Sequence, residues 1–265
     1  MGLNNSITSV ARARSVALAF AIFAALHSEV AAAQTQAGES AAAPRRFRIP
    51  AVTLTSGQFV YQTTLERDAT TTILGTRTVT VSQTTYAGSP AWLLVEARAG
   101  DGIPAADTLY AGNLDLHPIH WSSTLGGARL AAEFRADTVF GATSAPSGRR
   151  SMVAAVPSGT FVSSAMLEAA LRVLPLQTAW EDSTTTLSVS LSGNTLVPTR
   201  LSVIGEDRIQ VPAGTFDCWV VAVHADPGRG LYWVTKRDPM VVRSAVDVPA
   251  LGGAQLVSSL TRNSR

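Results

Sequence analysis

The feature that most constrains the fold of this chain is an alternation of apolar and polar residues with a period of two. Within residues 71–82, Ile73, Val79 and Val81 alternate with threonine and serine, and residues 184–192 repeat the pattern. Successive side chains of a β-strand point to opposite faces, so both segments are predicted to be half-buried strands. The many threonines and valines agree with this, because β-branched side chains pack well on a pleated surface.

Residues 201–262 continue the alternation in short segments that are separated by glycine and proline. The separators are residues 212–214, 226–230, 237–239 and 249–253. Short strands at this spacing, joined by tight turns, predict an antiparallel meander. At the first separator, Gly214 is expected to supply a positive φ. The predicted fold class is mainly β: a strongly curved antiparallel sheet, either a half-barrel or a sandwich-like meander, with one short helix packed on or in it.

Residues 163–174 are the segment that breaks the two-residue period. Its apolar positions have helical spacing: Met166, Leu167, Ala170, Leu171 and Leu174. Ser163 or Ser164 can cap the start, and a proline follows the end. Glu168 and Arg172 are expected to pair, four residues apart, on the polar side of this helix.

The N-terminal residues have the organisation of a secretory signal peptide. Two arginines precede an uncharged apolar stretch at residues 15–26, and alanines at 31–33 supply the small residues that signal peptidase requires. We predict a signal peptide at residues 1–33, cleavage before Gln34, and a periplasmic or secreted product. A retained N-terminal anchor is the alternative, although the apolar stretch is shorter than the roughly 20 residues that span a bilayer. The mature chain is predicted to hold no transmembrane span.

The mature chain is predicted to consist of a flexible leader at residues 34–50 and a single β-rich domain at 51–265. A hydrophobic content of 46% with 15% charged residues indicates a folded chain. The only cysteine, Cys218, excludes an internal disulfide. A formal net charge of +2 gives no electrostatic reason to expect nucleic acid. Arginines at 45, 46 and 48 are either solvated or in contact with an anionic lipid or polysaccharide.

The sequence lacks the common catalytic and metal-binding motifs. The single lysine, Lys236, excludes a phosphate-binding P-loop, and there is no Gly-x-Ser-x-Gly or His-Glu-x-x-His. His117 and His120 flank a proline, and their odd spacing on an extended chain puts them on opposite faces. Cys218 lies in an apolar strand with no basic neighbour. We therefore expect no catalytic residue, metal site or cofactor, and a protein that is not an enzyme.

The tryptophans have two interpretations, as core residues or as the lining of an apolar pocket. Residues 216–224 are apolar on both faces of the predicted strand, so both faces need a cover. One helix covers only part of a sheet. The residues chosen as candidates for the lining of a ligand groove are Trp92, Leu167, Leu171, Trp219 and Trp233.

Two sequence stretches resemble a known family. Residues 211–221 read VPAGTFDCWVV, and residues 231–236 read LYWVTK and are followed by VVRS at 241–244. Together they resemble a family of exported bacterial proteins, the domain of unknown function 3108. The resemblance implies an architecture similar to that of the periplasmic lipoprotein carriers, in which a strongly curved antiparallel sheet holds an apolar groove closed by a helix. It implies no catalytic residues.

The preferred hypothesis for function is an exported, non-enzymatic module that binds an apolar small molecule or lipid. The alternative is a cell-envelope structural or interaction domain with a filled core, which binds an envelope protein or a polysaccharide. A continuous apolar pocket of about 300 Å³ or more would favour the first hypothesis, and a filled interior the second.

Overall fold

The computed structural model describes residues 47, 49, 54–100, 104–189, 194–226 and 228–264. Within them the chain forms fourteen strands, one α-helix and a short 3-10 turn at Pro249–Leu251. The strands before the helix are β1 (Gly57–Arg67), β2 (Thr70–Tyr86), β3 (Ser89–Ala99), β4 (Ala105–Gly112), β5 (Pro118–Leu125), β6 (Ala128–Arg135), β7 (Thr138–Ala145) and β8 (Gly148–Ala155). The helix α1 (Ser164–Leu171) is followed by β9 (Glu181–Val189), β10 (Asn194–Val211), β11 (Gly214–Ala225), β12 (Gly228–Thr235), β13 (Val241–Val248) and β14 (Ala254–Ser264).

All fourteen strands belong to one open antiparallel sheet, in the order β8-β7-β6-β5-β4-β3-β2-β1-β14-β13-β12-β11-β10-β9. Every neighbouring pair except β1 with β14 is consecutive in sequence, as in a meander. The pair β1 and β14 joins two runs of strands, β1–β8 and β9–β14, for example at Tyr61 and Leu260. The predicted fold class is confirmed: the sheet is strongly curved, and it does not close into a barrel.

Residues 156–180 carry the chain from the edge strand β8 to the opposite edge strand β9, and α1 lies within this crossing. At its start, Phe161 forms a parallel bridge with Thr186 on β9. The amide of Phe161 donates to the carbonyl of Thr185 at 2.9 Å. The crossing therefore covers part of one exposed sheet edge, which would otherwise be free to pair with another chain.

The alternation along β2 produces the expected burial over most of its length. Arg77, Val79 and Val81 are buried, and the residues between them are less so. The exception is Ile73, which was predicted to share the buried face and is exposed. A bulge shifts the pairing of β1 and β2 between Thr63 and Thr64, so this end of β2 is out of step with the rest.

The helix occupies the interior of the curved sheet. Its N-cap is Ser163, whose hydroxyl accepts a hydrogen bond from the amide of Met166 at 3.2 Å. The helix ends at Leu171, three residues before the predicted limit at residue 174. Met166 and Leu171 are fully buried in the core that also includes both runs of strands.

The expected polar side of α1 does not face solvent, which corrects the sequence interpretation. Glu168 and Arg172 are only 4% and 8% exposed. Glu168 forms an ion pair with Arg77 of β2, and Arg172 donates a hydrogen bond to the carbonyl of Thr55 at 2.8 Å. These partners on the sheet and its flanking segments take the place of water.

The predicted signal peptide lies outside the described residues, and so does most of the predicted leader. Phe47 and Ile49, which fall within that leader, are buried in the core. The ring of Phe47 packs edge-on against Phe161 with a centroid distance of 5.6 Å. These two residues contact the crossing segment and the folded body.

Candidate functional site

The inner face of the sheet beneath α1 carries two rows of charged residues beside a row of apolar residues. Directly paired residues of adjacent strands lie on the same face. In the polar rows, Arg77 of β2 pairs with Arg98 of β3, and Glu96 of β3 pairs with Asp107 of β4. The next row along the strands consists of Val81, Leu94, Leu109 and Trp121. The sequence therefore gives this face a charged end and an apolar end.

The charged residues of this face and two residues of the helix segment form one connected network, the charge cluster. Its members are Arg77, Glu96, Arg98, Ser164 and Glu168. Arg77 Nη2 lies 2.9 Å from Glu96 Oε2, and Arg77 Nη1 lies 2.8 Å from Glu168 Oε1. Arg98 Nε donates to Glu96 Oε1 at 2.8 Å, and Ser164 Oγ donates to Glu96 Oε2 at 2.6 Å. Arg77 thus joins the sheet to the helix.

Burial and ion pairing set the protonation of the charge cluster. Burial alone would raise the pKa of Glu96, but Arg77 and Arg98 overcome this and lower the pKa below its usual range. Burial raises the pKa of Glu168, against the opposing charge of Arg77. Arg77 stays protonated: burial disfavours its charge, yet Glu168 and Glu96 together raise its pKa. Burial also raises the pKa of Asp107.

Two aromatic contacts orient Arg77 on the sheet and Arg172 at the C-terminal end of α1. The Arg77 guanidinium lies 5.2 Å from the centroid of the Tyr61 ring, and the Arg172 guanidinium lies 4.6 Å from that of Phe59. The Tyr61 hydroxyl donates to the carbonyl of Val241 at 2.9 Å. Burial raises the pKa of Tyr61, so its phenol remains neutral. Contact with an aromatic face is attractive for a guanidinium and helps to hold each of these arginines in its orientation.

A narrow space, the helix gap, separates α1 from the sheet. Its volume is about 10 Å³, room for about one water molecule. The residues around it are Phe59, Tyr61, Val79, Val81 and Val241 on the sheet and Ala165, Glu168, Ala169 and Arg172 on the helix segment. This is smaller than the roughly 300 Å³ of a typical small-molecule pocket. With α1 in place, the interior is filled by protein.

None of the five residues predicted to line a groove is among the residues around this gap. Leu171 is fully buried in the interior, and Leu167 is partly buried beside it. Trp92 is buried two positions from Leu94 on the same strand face. Its indole Nε1 has no hydrogen-bond partner among the residues that the structure describes.

The other two predicted tryptophans lie in the C-terminal run of strands. Trp219 is half-buried, and the Nζ of Lys236 lies 4.3 Å from the centroid of its ring. Trp233 follows the buried Tyr232 and therefore points to the opposite face of β12. There its Nε1 donates to Asp207 Oδ2 at 2.9 Å. Trp233 and Trp219 thus lie on opposite faces of the sheet, since Trp219 pairs with Val234.

Two further predicted residues have clear surroundings. Gly214 begins β11 with a φ of 142°, as the turn chemistry predicted. Cys218 is buried, and its pKa is raised to about 12, first by burial and then by Asp207 and Asp217. A thiol with so high a pKa is not a nucleophile at neutral pH.

The sequence analysis did not identify Arg77 and Glu96, although a signal for them exists. Arg77 occurs in step with Val79 and Val81, and Glu96 occurs in step with Leu94. A charged residue at an inward position of an alternating strand needs a buried partner of opposite charge. Two such interruptions on consecutive strands could have predicted the pair.

A second polar cluster lies on the outer face of β2, β4, β5 and β6. His120 Nδ1 lies 2.8 Å from Glu133 Oε1, and the Tyr86 hydroxyl donates to the same oxygen at 3.1 Å. The rings of Tyr86 and Tyr110 pack with a centroid distance of 4.6 Å. Among the described residues, no group of three or more histidine, cysteine or acidic side chains could hold a metal ion.

The fold and this interior define a class: a mainly β protein in which one open, curved sheet surrounds a single helix in the described part of the chain. The chain belongs to the protein family of unknown function DUF3108, whose family model matches residues 58–254. This confirms the resemblance seen in the two C-terminal motifs. No curated protein matches the chain.

Two solved structures are similar to this chain at low identity. One is a protein from Bacteroides fragilis described as exported and as having a YmcC-like fold; it is 13% identical, with a TM-score of 0.32, over 83% of this chain and 100% of the other. The second is a DUF1329 family protein from Desulfovibrio piger, 11% identical with a TM-score of 0.27, over 80% and 85%. Both TM-scores are below 0.5, so neither structure defines the fold of this one. None of the helices in the described ranges has the length and apolar character needed to cross a membrane.

Proposed function

We propose that this protein is an exported module that binds an apolar, lipid-like ligand inside its curved sheet, with α1 as a plug that fills the groove when no ligand is bound. The observation that carries the proposal is the charge cluster. Buried ion pairs stabilise a fold little more than well-packed apolar residues of the same size, and often less. Stability alone therefore does not account for charges between this helix and its sheet, which leaves them available for another role.

The geometry of α1 is consistent with a plug that leaves as a unit. Apart from the single bridge between Phe161 and Thr186, its connections, residues 156–163 and 172–180, contain no strand pairing and no further α-helix. An eight-residue helix is about 12 Å long and about 10 Å wide, so its removal frees on the order of 900 Å³. That volume falls within the range of small-molecule pockets, which the present gap does not reach.

The proposal predicts that loosening α1 opens the groove. Leu171→Ala should increase the fluorescence of bound Nile red, a neutral apolar dye, because the helix loses packing against the sheet. Leu201→Ala in β10 is the matched control, since Leu201 is equally buried but lies on a strand. Equal dye binding by both variants, or none by either, would contradict the plug.

Export is tested separately. Protein recovered from the periplasm or medium of a bacterial host should begin at Gln34, because the small residues at 31 and 33 direct signal peptidase to that bond. Recovery of the whole chain in the membrane fraction, with Met1 still present, would support the alternative of a retained anchor.

A second candidate function is favoured by the small helix gap and by the outer face of the sheet. Phe140 of β7 and Val153 of β8 are paired, exposed and adjacent to Glu133, which belongs to the outer polar cluster. Exposed aromatic and apolar residues next to polar ones are typical of an interaction surface. The corresponding role is a cell-envelope domain that binds an envelope protein or a polysaccharide. If Nile red binds and no substitution in α1 changes its binding, this interaction role is favoured over the plug.

A further inference from the structure

The charge cluster divides into a part that belongs to the sheet and a part that belongs to the helix. Glu96 and Arg98 lie on β3 and Arg77 on β2, so their mutual contacts persist wherever α1 goes. The contacts of Arg77 with Glu168 and of Glu96 with Ser164 depend on the helix. Departure of α1 therefore removes one carboxylate from one edge of the Arg77 guanidinium and leaves the other edge paired.

We propose that the Glu168 carboxylate occupies the place of a ligand head group, and that Arg77 binds the carboxylate or phosphate of a single-chain amphiphile once α1 has moved away. This proposal rests on the function proposed above and names the ligand class for it. The freed edge of Arg77 lies in surroundings where an unpaired charge is costly. An anion with two oxygens restores the lost ion pair, and the planar guanidinium suits it in geometry.

The charges around Arg77 tolerate one added anion. Without Glu168, the inner face retains two guanidinium groups, Arg77 and Arg98, and two acidic residues, Glu96 and Asp107. Asp107 is on β4, one strand beyond Glu96, and burial favours its neutral form. The net charge beneath the helix therefore becomes zero or positive when Glu168 leaves.

From Arg77, apolar side chains continue along the inner face of β2 and β3 and could contact the acyl chain of a ligand whose head group binds Arg77. Val79 and Val81 follow Arg77 on the inner face of β2, and Leu94 lies beside Val81 on β3. Gln83, which pairs with Trp92 at the far end, is six positions after Arg77. Six residues of a strand extend about 20 Å. A head group at Arg77 would thus place an extended chain along buried valine and leucine side chains.

The test compares two probes of equal chain length, laurate and dodecanol, by their displacement of Nile red from the protein expressed from the whole chain. The quantities measured are the two affinities and their ratio, and Arg77 should give the wild type a preference for laurate. Both probes bind only after α1 has moved away, so Glu168→Gln, which removes the ion pair that holds α1 against Arg77, should raise both affinities by the same factor, about tenfold, the effect of one charged hydrogen bond. Glu133→Gln on the outer face is the matched control and should leave both affinities unchanged.

The role of Arg77 is tested with a double variant that leaves neither partner of its ion pair with Glu168 as an unpaired charge in the core. The double variant Arg77→Met, Glu168→Met removes both partners of one ion pair, a change that cores often tolerate. It should bind dodecanol and lose the preference for laurate. Dodecyl phosphate distinguishes the two head groups: tighter binding of this probe than of laurate identifies a phosphate site, and the reverse identifies a carboxylate site.

The outcomes separate the two proposals. If neither laurate nor dodecanol displaces the dye from any variant, the proposed ligand-binding function is wrong. If both probes bind but their ratio is the same in the wild type and the double variant, then the apolar groove remains and the head-group site at Arg77 is wrong. If Glu168→Gln changes neither affinity, Glu168 does not compete with the ligand for Arg77, and the proposal is wrong on that point.

Discussion

At the scale of single residues, Arg77 is the side chain that joins the sheet to the helix through ion pairs. It is a charged side chain on a buried strand face, held by two carboxylates from different elements. Arg77→Met alone should destabilise the protein by about 3–5 kcal/mol, because it leaves Glu168 buried without its ion-pair partner and removes one of the partners of Glu96. Urea unfolding of the purified variant measures this free energy.

Two further variants are needed to interpret the stability of Arg77→Met. Arg200→Met removes an exposed ion pair with Glu181 and should change the stability by no more than about 1 kcal/mol. Adding Glu168→Met to Arg77→Met should restore part of the lost stability, because the second change removes a stranded charge. If Arg77→Met alone is as stable as the wild type, the charge cluster has no role in holding α1.

Gly214 is a second residue whose effect follows from the backbone. Its φ of 142° lies in a region that residues with a side chain rarely adopt. Gly214→Val should cost roughly 1–2 kcal/mol through backbone strain and lower the melting temperature by several degrees. Gly205→Val is the control, since a side chain at position 205 would enter open space and the φ of Gly205 is not positive. Melting of both variants at the same temperature would show that the turn imposes no strain.

At the scale of elements, the sequence predicts the position of a strand or helix better than it predicts which residues that strand or helix contacts. Alternation identified strands within residues 71–82, 184–192 and 201–262, and helical spacing with a serine cap identified α1 to within three residues at its end. Alternation did not identify β1 or β3–β8. The polar side of α1 was misread, because Glu168 and Arg172 have the spacing of a solvated pair. Only the three-dimensional fold brings Arg77, 91 positions earlier in the chain, beneath Glu168. Contacts between residues so distant in sequence leave no local pattern.

The plug hypothesis makes a prediction for the helix as a whole. A helix that leaves its site must open more easily than the core strands, so the amides of α1 should exchange with deuterium faster than those of β11. Hydrogen exchange followed by mass spectrometry or NMR measures both elements in one sample. Protection of α1 equal to that of β11 would identify a permanent core helix and would favour the interaction role.

At the scale of the whole molecule, the topology joins the two runs of strands in two ways. β1 pairs with β14 at the centre of the sheet, although nearly the entire domain lies between them in sequence. The crossing at residues 156–180 links the two outer edges and carries α1 into the interior. Pairing between such distant strands cannot be read from alternation alone, which is why the sequence analysis gave a meander but not the order of its strands. It also makes slow folding the expectation, on a timescale of milliseconds to seconds.

This topology predicts that neither run of strands folds alone, as the assignment of residues 51–265 to a single domain requires. A fragment of residues 51–155 has β1 as a free edge and lacks α1, so the inner faces of β2 and β3 are open to water. A fragment of residues 156–265 lacks β1, one of the two strands that pair with β14, and Arg77, the ion-pair partner of Glu168. Neither fragment should show a cooperative thermal transition by circular dichroism, whereas their mixture should regain the β-sheet spectrum of the whole chain. A cooperative transition in either fragment alone would mean that the sheet consists of two independent folding units, and that α1 does not hold them together.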